Sequence, residues 1–554
     1  MTRQANGSSP DSAGSTATEW AVSGRTPQAS VVMAAVAMVV VLHAQGDGLW
    51  FQGDAPRHAM NGVFWWDLLR AMPVHPLTFG LRYFARYPVI SPATYPPLFY
   101  VVEGAMFQIF GTSPHVVKLL LAACSAITGL YVTAWARRWI GPRAGWAGAF
   151  VVLLPAMVLW TSTVMLNVPA AALGMGCLYH MRRWLESGDR RQLLATVGFV
   201  VGVILTYYQG GLVVPICILW ALVVQPDASR RRGRLKWMGF VIVGAIVPLA
   251  LAAYLAPVQF ARHAPSLQSL LRLRTLTLYW TLLPGVVGVV FLIAGAVSLA
   301  IAWRVTRLKP EVAFVASWIV TVILCVSVLP AKDARYILLV APAFVLAAAL
   351  GVAAVFDGRA APRSGRQLMW LAGSLALMAW SATRVVVPDV SGFRDVAAFT
   401  RDAAPSGAVL YDGRYEGVFG FYARALDPGL ERRLVRGDKL LYEYGPTTTF
   451  RGVEITHAAT ADAVVDLIEH RCGCRWIAVE MGRAALMHPA QQVLRAALQR
   501  PAFAFVRSFP IRATGVDRID VFKVVAPVDR VDSMDLAFPA FTTRVFFDVT
   551  PITR

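Results

Sequence analysis

Two groups of charged residues, far apart in the sequence, have the types and spacing for group-transfer chemistry. The first is centred on Asp54, in the segment Gly53–His58 that follows the first long apolar run. An acid just outside a membrane span can serve as a general base or bind a cation. It can equally be structural, because Asp54 precedes Pro56 as an N-cap residue precedes an early helical proline. At this level both interpretations stay open.

The second group is the pair Lys332 and Arg335, in a short turn between two apolar runs. A phosphate would account for this pair, because Arg offers a two-pronged donor, Lys supplies a point charge, and a low dielectric strengthens both interactions. The alternative is that these side chains reach the membrane surface, where Asp333 pairs locally with Arg335.

A third segment, Thr94–Tyr100, contains two consecutive prolines between Tyr95 and Leu98. The prolines set the direction in which the next helix begins, and amphipathic tyrosine rings are stable at a membrane interface. Tyr95 and Tyr100 could therefore line a site at that level or simply form an aromatic belt.

The composition requires that these groups be positioned by membrane helices. Of 554 residues, 57% are hydrophobic and 15% charged, and the mean hydropathy is +0.55. Soluble domains have about 45–50% apolar and about 25% charged residues. The net charge of +20 lies largely in short loops between apolar runs, which indicates membrane orientation rather than nucleic-acid binding.

Windows of about 20 apolar residues predict eleven membrane spans. The stretch 97–110 is short and contains Glu103, so we expect a juxtamembrane helix there. The predicted spans are 28–45, 115–136, 145–162, 164–181, 192–208, 210–225, 237–257, 276–303, 311–330, 335–356 and 367–388.

With this count, the Arg-rich loops fall on one side, which the positive-inside rule makes cytoplasmic. Residues 1–27 are rich in Ser, Thr, Gly and Ala and are predicted to be a disordered cytoplasmic tail. The loops 46–96 and 258–275, the turn 330–335 and the region 389–554 are predicted to lie outside.

The region 389–554 shows alternating strand and helix patterns, which predict an extracytoplasmic α/β domain. Its Cys472 and Cys474 are predicted to be buried thiols, since they are too close for a relaxed disulfide and lack two further zinc ligands. Strands are predicted at 408–411, 476–480 and 518–524, and helices at 393–401, 461–470 and 489–498.

The order of these features resembles the GT-C membrane glycosyltransferases over residues 28–388. It is most similar to the branch of the lipid A aminoarabinose transferases and protein O-mannosyltransferases. The features are a long first outer loop with Asp54, a Pro-Pro segment ending in Phe110–Gly111, and the Lys332–Tyr336 turn before a Pro-containing apolar span. The region 389–554 looks like the outer domains of some bacterial members. The resemblance implies sugar transfer from a polyprenyl-phosphate carrier, with no nucleotide cofactor or required metal.

In this resemblance, Asp54 matches the first acid of the Asp-Glu motif and is the candidate catalytic residue, whereas Ala55 replaces the second acid. Tyr95 occupies a position where a phosphate-binding Lys or His is usual. Donor phosphate is therefore expected to bind Lys332, Arg335, Arg82 and Arg86. Substrate contacts are expected from Arg57, His58, Tyr95 and Tyr336.

These residues predict an inverting transfer in the bacterial cytoplasmic membrane. A polyprenyl-phosphate leaving group already activates the anomeric carbon, so the protein must orient an acceptor hydroxyl, take its proton and stabilise the leaving phosphate. The acceptor can be a lipid, a glycan or a protein. The loop 258–275, with Arg262 and Arg274, would line the lipid groove, close over it or bind anionic lipids.

Two other classes of function stay open on the sequence. A transporter or flippase would carry ionisable residues at mid-span and internal repeats, neither of which is evident. A sensor or scaffold would use the outer domain to bind a partner. A cavity that contains Asp54, Lys332 and Arg335 on the outer face would favour the enzyme.

Overall fold

The architecture comes from a computed structural model, which describes residues 26–43, 53–91, 94–141, 144–223, 228–255, 273–355, 365–444, 454–482, 487–537 and 544–548. Most of it is helical. The helices are α1 Thr26–His43, α2 Asp54–Ala71, α3 Pro76–Arg86, α4 Leu98–Phe110, α5 Pro114–Ile140, α6 Ala144–Leu153, α7 Pro155–Ser162, α8 Asn167–Ser187, α9 Arg190–Thr206, α10 Val213–Val223, α11 Ala228–Leu255, α12 Leu273–Val287, α13 Val289–Trp303, α14 Lys309–Ser327, α15 Ala341–Val355, α16 Gly365–Thr383, α17 Phe393–Ala403, α18 Glu416–Ala425, α19 Gly437–Leu440, α20 Ala461–Asp466 and α21 Pro489–Ala497.

The carboxyl-terminal region is built on a mixed five-stranded sheet, and two further strand pairs lie outside it. Its order is β2-β1-β5-β7-β6, with β1 parallel to both β2 and β5, and β7 antiparallel to β5 and β6. Each of the six elements predicted here coincides with an observed strand or helix. The strands are β1 Ala408–Asp412, β2 Arg433–Arg436, β3 Tyr442–Tyr444, β4 Glu454–Thr456, β5 Cys474–Gly482, β6 Phe503–Ala513, β7 Val516–Val524, β8 Ser533–Ala537 and β9 Arg544–Asp548.

Every apolar run that predicts a span corresponds to a helix or a helix pair, but the count of eleven spans stays a prediction. By length and apolar composition, four helices of the described chain are able to cross a membrane, or six if each bent pair is one span. Helix α4 has 13 residues, as expected of a juxtamembrane helix.

Two of the predicted spans are each broken into two helices. Helices α6 and α7 are bent by 62° beside Pro155, and the helical segments 277–287 and 289–303 are bent by 110° at Gly288. Gly288 has φ +82°, a conformation that costs glycine little and other residues more. The lengths of the apolar runs predicted that these segments are helical. The change of direction within each run occurs at Pro155 or Gly288.

Charged residues collect near both ends of α8. At its first turn, the Asn167 side-chain amide donates to the Arg335 carbonyl at 3.1 Å. Near its last turn, Arg182 pairs with Glu186 at 2.6 Å and also with Glu311. Fifteen residues of α-helix separate Asn167 from Arg182, a length of about 22 Å. The pair of Arg182 with Glu311 thus joins two loops predicted to be cytoplasmic, at one end of α8. The turn 330–335, predicted to lie outside, contacts the other end of this helix.

Aromatic rings from α5, α10 and α14 pack together near the last turn of α8, where Arg182 lies 5.2 Å from the ring centre of Trp220. Trp220 and Phe314 stack with centroids 3.7 Å apart, and Trp135 stacks on Phe314 at 5.3 Å. Such large buried rings supply much of the contact area that holds helices together where lipid removes the hydrophobic driving force.

The carboxyl-terminal domain is bound to the segment between α2 and α4 by polar contacts. Tyr87 donates to Asp427 at 2.6 Å, and Arg436 donates to the Pro88 carbonyl at 2.8 Å. The Arg424 guanidinium, buried between the two parts, contacts Asp67 at 2.5 Å. These buried contacts join the domain rigidly to the first loop.

One sequence expectation in this domain is wrong: Cys472 and Cys474 form a disulfide, with Cα atoms 5.1 Å apart. Gly473 between them has φ +63°, so the chain turns enough to bring the two Cβ atoms together. The expectation of free thiols assumed a more extended backbone between the cysteines.

Candidate active site

The contact that organises the candidate site joins Asp54 to Arg335. The Arg335 Nη2 atom donates to Asp54 Oδ2 at 3.0 Å, across 281 positions of sequence. Asp54 is the first residue of α2, whereas Arg335 lies in the 3-10 helix 334–340 that precedes α15. The two groups singled out in the sequence therefore meet.

Asp54 is not the N-cap of α2. That position belongs to Gly53, at φ +88°, and no side chain caps the helix. The Asp54 carboxylate instead contacts Arg335 and, at 3.5 Å, Arg57 one turn along the helix. The structural interpretation of Asp54 as a capping residue is thus replaced by an ion-pair role. A proline at the third helical position and an acid in the first turn still favour the start of the helix here.

The charge on Asp54 is stabilised by its neighbours. Burial alone would raise the pKa of Asp54, but Arg57 and Arg335 together hold this pKa below its ordinary value. The residue is therefore a carboxylate at neutral pH and can accept a proton or a hydrogen bond.

His58 and two tyrosines form the inner wall of the site. The His58 Nδ1 atom lies 2.6 Å from the Tyr100 hydroxyl, and the His58 ring meets Tyr95 edge-on at 4.7 Å. Burial lowers the pKa of His58 to about 3, although Asp54 opposes this shift. The imidazole is therefore neutral at physiological pH, and its hydrogen bond to Tyr100 fixes the ring orientation.

Arg335 is held by further groups beside Asp54. Its Nε atom is 3.3 Å from Asp333, and its guanidinium lies 5.5 Å from the ring centre of Tyr336. Tyr207, just after α9, interacts electrostatically with both Arg335 and Asp54. The local Asp333 pairing expected as an alternative is present together with the Asp54 contact.

Lys332 has a different set of partners in this structure. Its ammonium donates to the Ser327 carbonyl at 2.7 Å and to the Leu329 carbonyl. It also lies 6.0 Å from the ring centre of Tyr279. Lys332 thus neutralises the carboxyl end of α14, three residues from Arg335 in sequence, and its phosphate role stays a prediction.

The expectation that Arg86 binds phosphate is corrected by its surroundings. Arg86 is 2% exposed, and its Nη1 atom donates to the carbonyls of Leu430 at 2.9 Å and Arg432 at 3.1 Å. It joins α3 to the carboxyl-terminal domain. Arg82, one turn earlier, is half-buried on α3, and its phosphate role is untested. Nothing in the one-dimensional pattern distinguished the two arginines, because burial against a distant domain leaves no local signal.

Four residues near the site had no assigned chemical role in the sequence predictions. Tyr207, just after α9, interacts electrostatically with Arg335, and Asn167 on α8 donates to the Arg335 carbonyl. The buried acid Glu103 lies on α4 three residues after Tyr100. Glu416 of the carboxyl-terminal domain interacts electrostatically with Arg57. Two of these residues have a recognisable sequence signal: Glu103 is an acid in an apolar stretch, and Tyr207 belongs to a Tyr-Tyr pair at the end of a predicted span.

The residues described around Asp54 are mainly of types that bind anions. In the described ranges no cluster of three or more His, Cys, Asp and Glu side chains is arranged to hold one. The titratable groups around Asp54 are mainly arginines and tyrosines, which suit an anion rather than a cation.

Comparison with known proteins identifies the fold. A family model described as dolichyl-phosphate-mannose-protein mannosyltransferase matches residues 94–253. The structure is similar to ArnT from Cupriavidus metallidurans bound to undecaprenyl phosphate, with TM-score 0.59, 16% identity, and coverage of 91% of this chain and 99% of that one. A search of curated proteins gave no significant sequence match.

Two further solved structures share the architecture. The Archaeoglobus fulgidus oligosaccharyltransferase matches with TM-score 0.52 and 11% identity, over 82% of this chain and 69% of that one. The arabinofuranosyltransferase AftD from Mycobacteria matches with TM-score 0.55 and 13% identity, over 92% of this chain and 42% of that one.

The chain therefore has the GT-C fold, in which a bundle of membrane helices carries a soluble carboxyl-terminal domain. The matched family and these three solved proteins are glycosyltransferases, which agrees with the expected class of enzyme. The apolar helices and these similarities also confirm the expectation of a multi-pass membrane protein.

Proposed function

We propose that this protein transfers a sugar from a polyprenyl-phosphate donor to an acceptor hydroxyl, with Asp54 as general base and Arg335 as the principal phosphate ligand. The observation that carries the proposal is the contact between Asp54 and Arg335 at 3.0 Å, a base and an anion-binding group in one site. ArnT binds undecaprenyl phosphate, and the Archaeoglobus fulgidus enzyme AglB binds dolichol phosphate, on the same fold.

The ion pair suggests how donor binding prepares the base. The donor phosphate would compete with Asp54 for the Arg335 guanidinium, whose planar fork suits a phosphodiester. As Arg335 turns to the phosphate, Asp54 loses one of the two arginines that lower its pKa and becomes more basic. The base would thus be activated only when the donor is in place.

The reaction is a single displacement. The acceptor oxygen forms a bond to the anomeric carbon while the bond from that carbon to the phosphate oxygen breaks, and its electron pair leaves on the polyprenyl phosphate. The acceptor proton passes to Asp54, and Arg335 stabilises the growing charge on the leaving phosphate. Attack opposite the leaving group inverts the anomeric configuration.

Neutral His58 and Tyr95 are proposed to contact the sugar. His58 cannot supply charge at neutral pH, but a ring nitrogen and a tyrosine hydroxyl are suitable hydrogen-bond partners for sugar hydroxyls. Tyr336, whose ring centre lies 5.5 Å from the Arg335 guanidinium, would contact the donor on the side of the phosphate. The sugar and the acceptor, whether lipid, glycan or protein, are to be found by experiment.

The test has two stages. Mass spectrometry of envelope glycolipids and glycoproteins, from cells with and without the protein, should show one pentose or hexose modification that disappears with it. Cells that carry Asp54→Asn should also lack it, because removing a general base costs about 10²–10⁴-fold in rate. Asp402→Asn, an exposed acid paired with Arg401, is the matched control and should restore the modification. Full restoration by the Asp54→Asn protein would refute the assignment of the base.

A further inference from the structure

Helix α18 of the carboxyl-terminal domain lies lengthwise against α2, which carries Asp54. At one end, a Cβ atom added at Gly417 would lie 3.0 Å from Pro56 Cγ, so the two backbones approach closely. At the other end, Arg424 contacts Asp67 at 2.5 Å and donates to the Tyr83 hydroxyl at 2.9 Å. The first turn of α18 therefore adjoins the first turn of α2.

Two acids of the carboxyl-terminal domain lie at this junction. Arg436 binds both of them, with Nη2 at 3.0 Å from Glu416 and at 2.6 Å from Asp438. Its Nη1 atom donates to the Pro88 carbonyl at 2.8 Å, which holds the guanidinium in place. Two carboxylates thus share one buried guanidinium, and Lys439 is a second cation that acts on Asp438.

Arg57 on α2 is a further cation near these acids, and it acts on them less strongly than Arg436 does. It interacts electrostatically with Glu416 and with Asp438. Its Nη1 atom is also 3.5 Å from Asp54 Oδ1, longer than the 3.0 Å contact that Arg335 makes to the same carboxylate. Arg57 is therefore shared between the proposed base and two acids of another domain.

From this geometry we propose that Glu416 and Asp438 are positioning residues, which draw Arg57 partly away from Asp54 and so keep the base available. The carboxyl-terminal domain then completes the active site rather than only covering it. This inference rests on the proposed function, because it assigns a role to the surroundings of Asp54 in that reaction.

The two cations that lower the pKa of Asp54, Arg57 and Arg335, both lie outside the carboxyl-terminal domain. If the two acids are neutralised, Arg57 is released and can pair fully with Asp54, whereas the remaining neighbours are unchanged. The carboxylate then becomes a weaker base, since an opposite charge at shorter distance favours its ionised form. The other titratable groups that act on Asp54 or face it are His58 on α2, Arg335 and Tyr336 before α15, Tyr95 and Tyr100 around the start of α4, and Tyr207 after α9.

The experiment uses the full-length protein in lipid nanodiscs and measures release of undecaprenyl phosphate from two probes, undecaprenyl-phosphate mannose and undecaprenyl-phosphate arabinofuranose, with an envelope extract as acceptor. For Glu416→Gln with Asp438→Asn we expect kcat to fall about three- to tenfold. The donor KM should change less than twofold, and the acidic limb of the pH profile should move to lower pH. A structural defect would lower the amount of active protein without moving that limb.

Arg57→Gln provides the decisive comparison. It should move the acidic limb to higher pH, because Asp54 loses a cation. Once Arg57 is absent, neutralising Glu416 and Asp438 should have no further effect on the limb or on kcat, because their influence passes through Arg57. Effects that simply add in the triple variant would overturn the inference.

Two exposed acids of the same domain, Asp402 and Asp532, serve as the charge control when both are changed to Asn. If the double variant of Glu416 and Asp438 unfolds, the single variants Glu416→Gln and Asp438→Asn are each tested for the shift of the limb. If the folded single variants leave the acidic limb of the pH profile unchanged, the inference is overturned. Turnover by the wild type, together with loss of turnover in Asp54→Asn, would in that case still support the proposed function. If the wild type turns over neither probe, and the envelope glycolipids and glycoproteins are the same with and without the protein, the proposed function itself is contradicted.

Discussion

At the scale of single residues, the site is defined by what surrounds each charge. Asp54 and Arg335 form a half-buried ion pair, whereas Arg86, which has the same side chain as Arg335, is buried and donates from Nη1 to two carbonyl groups. Two arginines of one protein can therefore differ in whether their guanidinium groups can bind a ligand. Partners in the folded chain, rather than residue type, decide which arginine can receive a phosphate.

Arg335→Lys should weaken turnover while leaving the fold intact. Lysine keeps the charge but loses the planar fork, so one hydrogen bond to a charged group is lost, worth about 1.5–3 kcal/mol, which corresponds to about 10–100-fold in kcat/KM. Undecaprenyl phosphate release by the purified protein is the measurement. Arg512→Lys, at an exposed position of the carboxyl-terminal domain, is the control and should be unaffected. Equal activity of Arg335→Lys and wild type would remove Arg335 from the proposed phosphate site.

Glu103 is expected to make stability depend on pH. It is fully buried, neither carboxylate oxygen has a hydrogen-bond partner in the described chain, and burial raises its pKa well above the ordinary value. A carboxyl group whose pKa rises on folding stabilises the folded protein when the pH is below the pKa that the group has in the unfolded chain. This stability is lost as the pH rises toward the pKa that the group has in the folded protein. Glu103→Gln should therefore match wild type near pH 4 and exceed it at pH 8, by at most about 1.4 kcal/mol per pH unit in that range. Parallel thermal unfolding curves at both pH values would contradict this expectation.

At the scale of elements, the juxtamembrane helix α4 packs on α2 through glycine. A Cβ atom at Gly62 would lie 2.4 Å from the Glu103 Oε2 atom, and one at Gly104 would lie 2.6 Å from the Gly62 carbonyl oxygen. These glycines let the two backbones approach, and so place Tyr100 on α4 against His58 on α2. The packing of the two helices thus builds the inner wall of the site.

Gly62→Ala should destabilise the protein by about 1–3 kcal/mol, because the added methyl group meets the Glu103 carboxyl. A second change, Glu103→Ala, removes that carboxyl and should recover most of the loss, as measured by thermal unfolding in detergent. Gly198→Ala is the matched control, since its Cβ atom would meet no other group within 4 Å. Independent, additive effects of Gly62→Ala and Glu103→Ala would show that the predicted clash is absent.

At the scale of the whole molecule, the carboxyl-terminal domain is fixed to the first loop by buried charge. Asp67 accepts hydrogen bonds from Arg424 and, at 2.8 Å, from the Tyr83 hydroxyl. A similar buried contact, from Tyr87 to Asp427, lies nearby. Because these charges are shielded from water, the removal of one partner leaves the other uncompensated.

Asp67→Asn should therefore cost about 3–5 kcal/mol and loosen the carboxyl-terminal domain, because Arg424 stays buried without its counter-ion. Thermal unfolding and limited proteolysis of the purified protein measure the two effects. Asp402→Asn breaks an exposed pair and should cost no more than about 1 kcal/mol. Comparable losses in the two variants would mean that the interface does not depend on this ion pair.

Much of the architecture could be predicted from the sequence. Apolar run length located helices of the bundle, and period-two and helical patterns located β1, β5 and β7 and the helices α17, α20 and α21. These features are local: they depend on residues within one turn or strand of each other. For the same reason, the patterns failed at Cys472 and Cys474, where one glycine conformation brings the two thiols together.

The sequence alone identified Asp54 as a candidate base and Arg335 as a candidate phosphate ligand, and predicted that both lie on the same side of the membrane. The tertiary structure decided that they touch, that Arg86 is occupied elsewhere, and that Glu416 and Asp438 act on Arg57. The physical reason is that electrostatic and hydrogen-bond partners depend on distance and burial in space. Residues separated by hundreds of positions acquire both only when the helices and the carboxyl-terminal domain pack.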